Sequence, residues 1–134
     1  MVQHRPSVSL VVLDGDDLIV VRQRRPGSDR ELLELPTGTL EPGEDPREAA
    51  DRELAEECGV TVSSCTEVGS FWAAPAYSTE HVTVLAGICS GHAHGHPDPD
   101  EQITVDRLPL PLALGRLDDA TSIAALALWQ PTCL

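Results

Sequence analysis

The segment from Asp45 to Gly59 carries the start and stop signals of a helix, and it constrains the fold more than any other stretch of the chain. Asp45 can cap the first turn. Pro46 suits a position whose backbone N–H has no helical partner, and Glu48 completes a capping box. Gly59 supplies the stop. Between them Ala49, Ala50, Leu54 and Cys58 form the inward side. A helix with one apolar side needs another layer to cover it.

The flanking sequence offers strands for that layer. Residues 8–13 read as a buried, β-branched strand, 14–17 as a turn and 18–22 as the returning strand of a hairpin. Residues 26–29 mark a loop, and 31–35 form a short apolar–polar segment that Pro36 stops. Beyond the helix, 60–62, 66–72, 80–89 and 103–105 read as strands. A loop rich in Gly, His, Pro and Asp precedes the last of them. Residues 109–114 and 121–129 read as helices. Strands before, between and after helices predict an α/β or α+β layered domain. With 134 residues and neither an internal repeat nor a linker, the expectation is one domain over 1–134.

Charge excludes some functions. The net charge is -13, and all 9 basic residues are arginine. Such a chain repels a nucleic-acid backbone, so no nucleic acid is expected as partner. No apolar run approaches the roughly 20 residues of a membrane helix, so no membrane is expected either. The N-terminus lacks the apolar stretch of a secretory signal, and Cys58, Cys65, Cys89 and Cys133 show no CxxC spacing. A reduced, cytoplasmic protein is expected.

The acids concentrate around the helix. Residues 31–57 hold ten acids against two bases, Arg47 and Arg52. Glu53, Glu56 and Glu57 stand three and four positions apart and share one side of a turn. Like charges so placed cost a few tenths of a kcal/mol per pair, roughly. A divalent cation removes that cost, and carboxylate oxygens suit Mg²⁺ or Mn²⁺. Arg52, four residues before Glu56, is able to orient it by an ion pair. The alternative reading is a solvated acidic face.

The run Gly38, five residues, Glu44, seven residues, then Arg52-Glu53-Leu54-Ala55-Glu56-Glu57-Cys58-Gly59-Val60 resembles the Nudix box at all nine constrained positions. The resemblance implies a Nudix-type α/β/α sandwich around a central mixed β-sheet. It implies a metal-dependent hydrolase of a nucleoside diphosphate linked to another group, with Mg²⁺ as cofactor and Mn²⁺ as the alternative. Matched position by position, Glu53 and Glu57 would be the main metal ligands, with Glu56 a further ligand or acting through water. The carbonyl of Thr37 would add a ligand, and Gly38 would let the backbone turn tightly. Arg52 would hold the glutamates, and Glu44 would support the loop or a further ion. An anionic substrate at an anionic site needs bound cations to reverse the local field.

Outside the box, Glu34-Leu35-Pro36-Thr37-Gly38 resembles the entry segment of the ADP-ribose pyrophosphatase group. Pro75, 16 residues after Gly59, resembles that group's marker proline. Asp119-Ala120-Thr121-Ser122-Ile123-Ala124-Ala125-Leu126 resembles its last helix, and Glu101 its loop glutamate, which would be the general base. The implied substrate is ADP-ribose, giving AMP and ribose 5-phosphate. A (d)NTP pyrophosphohydrolase and a non-catalytic nucleotide sensor are the alternatives. Members of the group it resembles usually carry an extra N-terminal segment that builds the dimer and part of the adenosine site. Here the box begins at Gly38, and the expectation is that no such segment is present. Many relatives pair, so a homodimer is an expectation.

Arg22, Arg24 and Arg25 form the densest basic cluster, suited to phosphate or to pairing with the acidic helix. Trp72, Phe71 and Tyr77 surround Pro75, and one of them could stack on a base, with a core role the alternative for Phe71. His92, His94 and His96 fit no common zinc spacing and read as a loop that happens to contain histidine.

Overall fold

A computed structural model describes residues 1–93 and 102–130. Glu101, His94, His96 and Cys133 lie outside the described residues. The strands are β1 (Ser7–Asp14), β2 (Asp17–Arg25), β3 (Arg30–Glu34), β4 (Thr37–Thr39), β5 (Val60–Trp72), β6 (His81–His92) and β7 (Ile103–Pro109). The helices are α1 (Pro46–Glu53), α2 (Leu110–Arg116) and α3 (Ala120–Trp129), and a π-helical turn over Leu54–Cys58 continues α1.

All seven strands join one mixed sheet. β1 runs parallel to β6 and antiparallel to β2 and β4. It meets β2 only at the hairpin, through Leu13–Leu18 and Asp14–Asp17. Farther back β4 takes over that edge, pairing Ser9 with Thr37 and Val8 with Gly38. β2 instead carries β3 and β7. The splayed edges of β1 and β2 open a gap on one side of the sheet.

β1 is buried almost end to end because both of its faces are covered, as a parallel neighbour usually requires. Val8, Leu10 and Val12 pack with Ala49, Ala50 and Leu54 on the α1 side. Val11 packs with Leu117, Ala125 and Leu126 on the α3 side. The period of two thus sorts one strand between two cores. Each fully buried Leu or Val contributes about 1.5–3 kcal/mol relative to exposure.

The α/β/α layering agrees with expectation, and several elements differ in detail. Residues 60–72 form one strand, with register shifts that absorb the irregular stretch between the two segments expected there. Ser64 sits in that stretch with φ 51°, a left-handed backbone that a sequence pattern does not signal. β6 runs on to His92, which pairs with Val60, so His92 belongs to a strand and not to a loop. Phe71 packs against the core, the second of the two roles open to it. No helix among the described residues is long and apolar enough to cross a membrane.

The start of α3 is tied to β3. Leu33 N–H donates to Asp118 Oδ2 at 2.8 Å, and Leu35 N–H donates to the buried Ser122 Oγ at 2.9 Å. Asp119 caps α3 by accepting from Ser122 N–H at 3.2 Å. These bonds satisfy the free edge of β3 and bring the α3 N-terminus to the mouth of the gap.

Candidate active site

A cleft of about 570 Å³ opens where β1 and β2 part. One wall is built by the β4–α1 segment and carries Thr37, Gly38, Arg52, Glu53 and Glu57. The floor is one face of β2 and β3, with Gln23, Arg25, Leu32 and Glu34. Asp119 and Thr121 close one end, and His4, Arg5, Ser7 and Glu80 the other.

The wall owes its shape to local sequence. The capping box forms as expected: Glu48 N–H donates to Asp45 Oδ1 at 2.9 Å, and Asp45 N–H to Glu48 Oε1 at 3.3 Å. At Leu54 the helix widens into the π turn, which Gly59 ends with φ 65° and an N–H donated to Leu54 O. The single α-helical turn expected for Glu53, Glu56 and Glu57 is therefore corrected, since the last two lie in a wider turn. Glu53 and Glu57 face the cleft. Glu56 is half exposed, 3.5 Å from Arg52, and does not line it.

Arg52 organises the wall. Its Nε and Nη2 donate to Glu44 at 2.8 and 2.9 Å, Nη2 also to the Thr39 carbonyl at 3.0 Å, and Nη1 to Glu53 at 2.9 Å. The main partner is thus Glu44, with Glu56 among the more distant, which reverses the emphasis that spacing alone suggests. This fork holds the Glu44 carboxyl down at about 2, and Glu44 raises Arg52 in turn. Burial pushes Glu53 above the usual carboxylate range, against the pull of a hydrogen bond with Glu57 and of Arg52.

Gly38 has a different role from the tight turn expected. It lies inside β4, and a Cβ there would overlap the carboxyl end of Glu53. The residue is small so that Glu53 can lie against the strand beside Thr37. Among the described residues no three acidic, His or Cys side chains form a preformed metal cage. Mg²⁺ does not require one: it keeps several waters and takes one or two carboxylates plus substrate phosphates. Two adjoining carboxylates, one desolvated, fit that donor set.

The floor sorts the basic cluster by strand parity. Gln23 and Arg25 face the cleft, whereas Arg22 points to the other face and stands 3.5 Å from Asp106 of β7. Arg24 pairs with Asp29 at 2.7 Å. Arg22 is therefore not brought to the site. Nor do Trp72 and Pro75 line the cleft; Trp72 is 60% exposed and packs against the His81 ring at 4.7 Å. Spacing alone gives no role to Glu34, Asp119, His4 or Arg5. Asp119 is raised by burial, and its Oδ1 is buried without a hydrogen-bond partner among the described residues. Alternation along β2 is the signal able to separate Arg25 from Arg22. Burial pushes the Cys58 thiol up to about 12, which disfavours the thiolate.

Comparison with known proteins finds relatives of the chain and of its fold. A family model described as NUDIX domain matches residues 3–126. An ADP-ribose pyrophosphatase of Bacillus subtilis (strain 168) is 34% identical over 117 residues, covering 85% of this chain and 63% of the relative. The ADP compounds hydrolase NudE of Escherichia coli (strain K12) is 31% identical over 133 residues, covering 93% and 70%. A methanol dehydrogenase activator of Bacillus methanolicus is 31% identical over 138 residues, covering 97% and 75%. This chain thus spans between about three fifths and three quarters of these relatives' lengths. A crystal structure of an ADP compounds hydrolase superposes with a TM-score of 0.83 at 25% identity, covering 96% of this chain and 74% of that one. With an unbroken box on the wall of the cleft and a family match across most of its length, the chain belongs to the Nudix family.

Proposed function

We infer that this chain hydrolyses the pyrophosphate bond of a nucleoside diphosphate derivative, with ADP-ribose, cleaved to AMP and ribose 5-phosphate, as the leading substrate. One observation carries the reading: Glu53 and Glu57 share a cleft with Arg25 on its floor. A diphosphate fits between a carboxylate pair that recruits cations and a guanidinium that binds phosphate directly. The names of the ADP-compound hydrolases among the relatives favour the same substrate class.

In this reading Glu53, Glu57 and the Thr37 carbonyl hold a divalent cation, Mg²⁺ with Mn²⁺ as the alternative. Bound there, the cation supplies neutralisation of phosphate oxygens and acidification of the attacking water. Arg52 fixes Glu53, and Glu44 fixes Arg52. Glu56 acts from outside the cleft, through water. Arg25 binds a phosphate oxygen. Glu101 is the candidate base that takes the proton of the water as its oxygen bonds to phosphorus and the bridging P–O bond breaks. Arg22, Trp72 and Pro75 have no part in this arrangement. The protein is read as cytoplasmic, consistent with its free Cys58, Cys65 and Cys89. A homodimer belongs to the same reading.

A panel of ADP-ribose, (d)NTPs, dinucleoside polyphosphates and sugar nucleotides, assayed with Mg²⁺ and with Mn²⁺, tests it. AMP plus ribose phosphate supports the proposal. A nucleoside monophosphate plus pyrophosphate moves the chain to the nucleoside triphosphate class. Ligand binding without cleavage of any member makes it a sensor.

A further inference from the structure

Glu34 is a buried carboxylate that neither the box nor the relatives' names assign. Its side chain is 4% exposed, and its two oxygens accept from Arg25 Nε and Nη2, each at 2.8 Å. Arg25 remains 44% exposed and lines the cleft. The strand register makes this pairing unusual. Arg25 stands opposite Arg30, and Glu34 opposite Val21. The two residues are thus four steps apart along the strands, roughly 13 Å at the usual rise. Each side chain must lie along the sheet face, over Gln23 and Leu32, to reach the other.

Arg25 is the last residue of β2, followed by the turn at Pro26. Left alone, its side chain would extend past the hairpin end into water. Glu34 draws it back over the cleft floor, in the same cleft as the wall that carries Glu57. The fork uses Nε and Nη2, and among the described residues no hydrogen bond takes Nη1, which leaves that edge for a ligand. A carboxylate buried this way is a weak device for stability, because desolvation offsets much of the attraction. Holding a guanidinium in one orientation is what it does better than an apolar side chain.

We propose that Glu34 is a positioning residue for substrate phosphate: its fork fixes Arg25 flat on the cleft floor, so that the free guanidinium edge meets a phosphate of the nucleotide. This rests on the functional reading above. If Glu34 acts through Arg25, the two residues form one unit, and removing either loses the same interaction.

The test compares wild type, Glu34→Gln, Arg25→Ala and the double variant. The readouts are kcat and KM for ADP-ribose with Mg²⁺, calorimetric affinity for ADP with Mg²⁺, and thermal unfolding. The expected result is a loss of about 10- to 100-fold in kcat/KM and in ADP affinity for each single variant, with the double no worse than Arg25→Ala. Lower thermal stability with kcat/KM and ADP affinity kept within about twofold shows a structural role only and overturns the proposal. Multiplying losses in the double variant overturn it too. If Glu34→Gln does not fold, Glu34→Asp keeps the charge but shortens the reach, and the same criteria apply. A wild type that neither cleaves ADP-ribose nor binds ADP removes the functional reading together with this one. An active wild type with an indifferent Glu34→Gln removes this one alone.

Discussion

Gly38 and Glu53 stand so close that a Cβ at position 38 would overlap the Glu53 carboxyl. The contact is with the end of a flexible side chain, and Gly38 has no left-handed backbone to lose. Gly38→Ala should therefore fold, with an unfolding midpoint near that of wild type, while Glu53 is pushed from its place. Metal-dependent turnover should fall by roughly 10- to 100-fold, the scale of misplacing a ligand by about 1 Å. Steady-state kinetics beside a melting curve will show whether activity and stability separate in this way.

Glu57 faces the cleft with Glu53, so Glu57→Gln removes one charge from the proposed cation site. Turnover should drop by about 10²-fold or more, with partial recovery at high Mg²⁺ or Mn²⁺ if the loss is one of metal affinity. Full activity at ordinary metal concentration would remove Glu57 from the ligand set.

Arg52 serves Glu44, Glu53 and the Thr39 carbonyl from one planar fork. Lysine keeps the charge but has no fork. Arg52→Lys should reduce turnover by about 10- to 100-fold, as loss of a ligand-orienting partner does. An Arg52→Lys enzyme with wild-type kcat/KM would show that charge alone suffices at this position.

Glu44 sets a pH dependence. Its folded pKa, about 2, lies below the ordinary 4.5 because Arg52 hydrogen-bonds the ionised form. A depressed carboxylate stabilises the fold fully above its unfolded value, and the contribution is lost as pH falls through the folded one. Stability should decline between roughly pH 4.5 and pH 2, more steeply in wild type than in Glu44→Gln. Urea midpoints across that range will show it, and equal slopes for the two proteins would dismiss the assignment.

Leu126 is fully buried against β1 on the α3 side. Leu126→Ala should cost about 2–5 kcal/mol, read from chemical denaturation. Leu128 on the same helix is 40% exposed, and its substitution by alanine should cost much less.

Local chemistry makes part of this fold legible in the sequence. The capping box at Asp45 and Glu48 and the stop at Gly59 depend on near neighbours, and both form as expected. The β-branched apolar run of β1 points to a buried strand, and the spacing of Gly38, Glu44, Arg52, Glu53 and Glu57 points to the family. The π turn is hidden, because the same residues suit an α-helical turn and tertiary packing decides between the two. The register shifts of β5 are hidden for a like reason: an inserted residue shows only against its partner strand.

By itself, then, the sequence determined what its neighbours along the chain could enforce: a capped acidic helix, two-sided apolar strands, and carboxylates three and four positions apart. Only the tertiary structure decided which groups meet. It turned Arg25 inward and Arg22 outward, set Glu53 against Gly38, and stretched Arg25 to Glu34. Backbone hydrogen bonds and side-chain spacing act over a few residues. The parting of β1 from β2 comes from strands paired across the whole chain, and that parting makes the cleft.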